Sequence, residues 1–185
     1  MRDFFDGLMP KIQEAVAEDF RDIQKQVGDE KIYVAVLATD SDCITLSLWI
    51  NTIEQMTKTD IKYGWHGPAE TTKWMPDEWK YYSNKPEGTA GISKLLRAKE
   101  QALYDEAGGL LADEMYDKFY KLFIETVTRA LQNLIQTNAF GLNPEEVTYF
   151  LYMTDDDRVS DVVKESAKQL NTTKMYEEFM RDSGF

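Results

Sequence analysis

Apolar residues recur at three- and four-residue steps from the start of the chain. Phe5, Leu8, Met9, Ile12, Val16, Phe20, Ile23 and Val27 fall on one stripe, which predicts an amphipathic helix. Gly28 stands where such a helix stops. Pro10 lies inside the pattern; proline suits a first turn, so the regular helix is expected to start near Pro10. The period then changes. Ile32 to Thr39 is apolar on both faces, as in a central strand. Ile44, Leu46, Leu48 and Ile50 alternate with Thr45, Ser47, Trp49 and Asn51, which predicts a half-exposed strand. The short Asp40-Ser41-Asp42 link allows antiparallel pairing and no crossover, so these two strands are read as a hairpin.

Residues 51–91 lose the period and are punctuated by Gly64, Gly67, Pro68, Pro76, Pro86, Gly88 and Gly91. Ile61 to Trp65 and Thr71 to Trp74 are read as short strands extending the sheet. Pro76 followed by Asp77-Glu78 predicts one helical turn, because proline pre-sets φ and acids suit the positive end. Helical spacing returns over Ile92 to Ala107, ended by Gly108-Gly109, and over Asp113 to Asn138, closed by Gly141 and Pro144. Val147 to Met153 is a last strand. Thr154-Asp155-Asp156-Asp157 then opens a helix to about Leu170, and Thr172 or Thr173 caps a terminal one. Helices segregated from strands in this order predict one α+β domain over residues 1–185, with an antiparallel sheet of three to five strands.

Composition narrows the class. Cys43 is the one cysteine, so a disulfide within the chain is excluded and a reducing compartment is expected. The N-terminus carries Asp3 and Asp6 and no unbroken apolar run, and no segment approaches the length of a membrane span. A cytoplasmic protein follows as the expectation. The net charge is −12, with eight acids against four bases in residues 1–30 and ten against five in residues 140–185. Such a balance repels nucleic acid and anionic lipid and steers basic proteins toward the chain.

Candidate chemistry is sparse. One Cys and one His cannot complete a zinc site. His66 sits in a Gly/Pro loop with no nucleophile motif to serve. Cys43, at the start of a strand, has no basic neighbour to activate it and reads as an inert apolar residue. Asp40/Asp42 and Asp155 to Asp157 each follow an apolar strand, so five carboxylates could cluster around a divalent cation if the strand ends coincide. The competing reading is ordinary turn and cap chemistry, and no metal or cofactor is assigned. The glycines offer no phosphate cradle.

Two sets of residues remain. Trp65, Trp74, Trp79, Tyr81 and Tyr82 form an aromatic set in an aperiodic stretch; such residues either plug a core or make an interface. Trp74, Trp79 and Tyr81 are assigned to the core, since a turn at Pro76 can fold them inward, and Trp65 to a partner surface. Glu14, Glu18 and Asp22 recur at four-residue steps on one polar helix face and, with Asp155, Asp156 and Asp157, are also assigned to partner binding.

The Tyr33-to-Asp40 strand, Thr52, Lys73-Trp74-x-Pro76-x-Glu78-Trp79, and the aromatic strand at 149–153 before Thr154-Asp155 together carry a resemblance. The chain resembles an uncharacterised bacterial family, one of the domain-of-unknown-function groups. That resemblance implies a small intracellular protein, similar in size and charge to the immunity proteins of toxin systems, and it brings no catalytic residues. Three readings stand: an acidic, non-enzymatic protein occluding a basic protein partner; a small-ligand binder or enzyme with a pocket near residues 61–91; and a homo-oligomeric regulatory subunit.

Overall fold

A computed structural model describes residues 1–65, 71–83 and 85–185. The elements run in the order α1 (Arg2–Val27), β1 (Ile32–Thr39), β2 (Ser47–Thr52), α2 (Ile53–Tyr63), a 3-10 turn (Pro76–Glu78), β3 (Tyr81–Tyr82), α3 (Thr89–Glu106), α4 (Asp113–Gln136), β4 (Thr148–Met153), α5 (Val159–Leu170) and α6 (Thr173–Ser183). The fold is α+β. Among the described residues four strands lie in the order β3-β2-β1-β4.

The sheet is mixed, which corrects the antiparallel expectation. β1 and β2 form the antiparallel hairpin, with Leu37 opposite Leu48. β4 runs parallel to β1, with Leu37 beside Leu151. The connection between them contains α3 and α4, and a parallel neighbour needs a long crossover of this kind. β1 is buried at every position, as its two-sided apolar sequence requires.

Two apolar layers flank the sheet. On one face Ala35, Leu37, Leu48, Ile50, Tyr149 and Leu151 pack against α1, α3 and α4. On the other, Val34, Val36 and Phe150 pack against Trp79, Val163 of α5 and Phe179 of α6. Helix α1 starts at Arg2 and keeps Pro10 in its interior, eight residues earlier than its proline suggests. Phe5 and Leu8 are both buried, and each side chain contributes about 1.5–3 kcal/mol. That burial offsets the roughly 3 kcal/mol cost of an interior proline.

The first face is also joined by a buried carboxylate. Asp19 of α1 accepts the Thr89 backbone N–H (2.9 Å) and hydroxyl (2.7 Å), so it caps the start of α3 from another helix. Gly88 makes room for it. A Cβ there would stand 1.8 Å from Asp19 Oδ1.

Residues 61–65 and 71–74 are not strands. Ile61 to Tyr63 finish α2, which Thr52 opens by accepting the Gln55 N–H (3.1 Å) and Gly64 ends at φ 72°. Residues 71–75 are an irregular strap held by side chains. Asp60 accepts the Thr72 N–H (2.7 Å), the Thr72 hydroxyl (2.7 Å) and the Thr71 hydroxyl (2.8 Å). The Trp79 indole donates to the Thr72 carbonyl (3.2 Å) and the Tyr33 hydroxyl to the Lys73 carbonyl (2.7 Å). These bonds replace the backbone ladder that a strand would have had. The link between β1 and β2 spans residues 40–46, longer than three residues. Cys43 lies in that turn at φ 59°, not in a strand.

Candidate functional site

Helix α1 presents Glu14 and Glu18 to solvent, as its polar stripe predicts. Asp22 differs. It is bound by Lys25 (2.9 Å) and Lys85, which hold its carboxyl down to about 2. Its charge is matched within the fold. A groove of about 370 Å³ runs between α1 and the start of α3, with Glu14, Glu18 and Glu87 on its rim and Ala15, Ile92 and Leu95 beneath. Lys11 stands at one end. Lys85 feels the charges of Glu18 and Glu87 but is committed to Asp22. Among the described residues no cation lies within ion-pair distance of the three glutamates.

The ends of β1 and β4 do coincide, since Thr154 N–H donates to the Thr39 carbonyl (2.9 Å). Among the described residues, however, no three acidic, His or Cys side chains group as a metal ion requires. A guanidinium supplies the positive charge instead. Arg158 Nε donates to Asp156 Oδ1 (2.8 Å), Arg158 Nη2 donates to the Ser41 carbonyl (3.2 Å), and the group stacks 4.1 Å from the Tyr120 ring centre. The Arg158 hydrogen bonds hold the Asp156 carboxyl below the usual carboxylate range. Asp155 and Asp157 remain exposed. The helix starts at Val159, so these three residues form a turn ahead of it and do not cap it. Cys43 is fully buried beside this turn, and burial pushes its thiol far up, as an inert residue requires.

The aromatic set divides. Trp79 is 6% exposed and packs edge-on to Phe150 at 6.5 Å; Tyr81 is equally enclosed. Trp65 is half-buried, 5.1 Å from the Tyr63 ring. Tyr82 is 53% exposed beside Trp49 at the sheet edge. Trp74 belongs to the core only in part. It meets Phe179 at 4.7 Å and Tyr33 at 6.0 Å, both nearly perpendicular, and these three rings wall a cleft of about 260 Å³. Glu145, Glu146 and Glu178 stand at the cleft, with Lys31 and Lys73. Among the described residues the indole N–H of Trp74 is enclosed without an acceptor. His66 lies outside the described residues.

The residues assigned to partner binding therefore lie in separate places. Glu14 and Glu18 lie on the α1 side of the sheet. Trp65 follows α2, whose Met56 packs against the other layer, and Asp155 to Asp157 close one end. Glu87 was signalled only by its place ahead of a helix. The cleft residues come from separate segments, with no local pattern to join them.

Residues 12–172 match the family described as Domain of unknown function (DUF4303). The chain belongs to this family. No curated protein and no solved structure matches it. The match spans α1 beyond Pro10 through β4 and α5, so it covers both sheet faces, the groove and the strap. No described helix is long and apolar enough to cross a membrane.

Proposed function

We propose that this member of the DUF4303 family is a non-enzymatic interaction protein that engages a basic protein partner, in the manner of a bacterial immunity protein occluding a toxin. The observation that carries this reading is the α1–α3 groove, where Glu14, Glu18 and Glu87 rim an apolar floor ending in half-open Leu95. Charge steers a basic partner in, and the floor gives it apolar area to bury. The partner itself is sought as the product of the adjacent gene. Replacing Glu14, Glu18 and Glu87 together by Gln should slow association about tenfold at low salt and flatten its salt dependence, with dissociation nearly unchanged. Equal rates and equal salt slopes would remove the groove from the contact.

A second reading is favoured by one observation. For a small-ligand binder with a pocket near residues 61–91, the support is that Lys73 and Trp74 of that segment line the cleft, whose other walls come from outside it. Binding of a small molecule there, with no protein partner found, would support it.

A further inference from the structure

We infer that the partner enters the α1–α3 groove as an α-helix, with an apolar stripe on the groove floor and lysine or arginine on both flanks; this rests on the basic-partner reading above. Asp19 of α1 bonds Thr89 at the start of α3, and Lys11 and Leu95 line the same groove, so the two helices run antiparallel. The rims step in the same way. Glu14 and Glu18 stand four residues apart on α1; Gly91 and Leu95 stand four apart on α3, with Glu87 four before them, just ahead of the helix. Rows at four-residue steps are the ridges between which a third helix packs. From Lys11 to Glu18 the groove runs about 10 Å, two turns of such a helix.

The floor decides between a helix and an extended segment. Ala15 and Ile92 are buried and Leu95 is 38% exposed, while Ala15 and Gly91 add so little side chain that a backbone can come close. Both walls are helices, whose backbone groups are bonded internally. An extended segment would lay unpaired N–H and C=O groups over apolar carbon, whereas a helix brings its own already paired. Charge then selects the flanks. Among the described residues no ion pair takes Glu14, Glu18 or Glu87, so two cations one turn apart suit the α1 side and one the α3 side. A second copy of this chain brings the same acidic rim and a net charge of −12, and is repelled.

The test titrates the full chain with three amidated peptides of about four helical turns. It is read by backbone amide shifts of the protein and by peptide helicity. The first peptide, of Leu, Ala and Lys, has leucines at three- and four-residue steps between lysine flanks. The second has the same composition in alternating order, which forms no such stripe on a helix. The third is the first with Gln for every Lys. The first should gain helix and saturably shift the α1 and α3 amides around the groove, about tenfold tighter than the second. Leu95→Ser should weaken it about fivefold, and Glu14→Gln with Glu18→Gln about tenfold at low salt. Glu165→Gln with Glu177→Gln, exposed on α5 and α6 of the other layer, should leave it unchanged. No saturable shift, shifts outside the groove, or an unaffected Leu95→Ser variant would overturn the inference. So would an equal loss in the Glu165/Glu177 variant, which would mark bulk charge, or groove shifts that grow with protein concentration alone, which would mark a second copy. The two readings fail separately. Equal groove binding of the first two peptides would keep a basic partner and sink the helix. Equal groove binding of the first and third would keep the helix and sink the basic partner.

Discussion

The two faces of the sheet are covered in different ways. On the α1/α3/α4 face, long helices lay continuous apolar stripes on the strands, and hydrophobic burial dominates. The opposite face is covered partly by a strap with no ladder of its own. There, Asp60, Trp79 and Tyr33 each secure the strap backbone through a side-chain bond. The first design gives bulk stability. The second gives position, and it leaves a cleft where regular elements would have closed the surface.

The largest expected effect tests what the strap contributes to the core. Trp79→Ala should lose about 3–5 kcal/mol, as truncation of a buried large aromatic does. A urea melt unchanged within error would show the second face to be marginal. On the first face, Gly88→Ala should cost roughly 2 kcal/mol, because a Cβ displaces Asp19 and the cap of α3 with it. The double variant Asp19→Ala/Gly88→Ala should lose little beyond Asp19→Ala alone. Additive losses would mean that the glycine serves something other than the carboxylate.

A smaller effect concerns Glu30, which ties the two faces at the sheet edge. Burial raises its carboxyl, but hydrogen bonds from Thr52, Gln55 and Tyr81 and the charge of Lys58 outweigh that and hold it at about 2 against an ordinary 4.5. A depressed value means stability fully present above about 4.5 and lost as pH falls toward about 2. The carboxylate keeps 21% exposure, so solvent reduces the effect. Thermal melts between pH 5 and pH 3 should therefore fall less steeply for Glu30→Gln than for the wild type. Parallel slopes would contradict the assignment.

The difference between the faces also decides what was legible in sequence. Helices α1, α3 and α4 were readable because their apolar period is long. Their ends were less so: Pro10 pointed to a later start, and only the burial of Phe5 and Leu8 reveals why the helix continues past it. The hairpin was read from a three-residue link; the real link, residues 40–46, is longer but still too short for a crossover, whereas the parallel β4 was not legible, since nothing local encodes the direction of a strand after a long crossover. α2 was hidden by its weak period. Gln55 is its one buried residue, and Thr57 and Thr59 return their hydroxyls to the helix backbone. The acids were legible as charge but not as partners. Asp22 and Asp156 are neutralised by Lys85 and Arg158, cations that reach them only through the fold or a local turn.

Side-chain bonds to Asp60, in place of a backbone ladder, hold the strap that carries Trp74. Asp60→Ala tests this most directly. The three bonds that Asp60 accepts are partly exposed, so their loss should cost only about 1–2 kcal/mol and lower the melting temperature by a few degrees. The measurement is the Trp74 indole N–H signal of this variant, read beside its thermal melt. A folded protein whose Trp74 signal has moved is the predicted result. A variant whose Trp74 signal stays where it is in the wild type would contradict the claim.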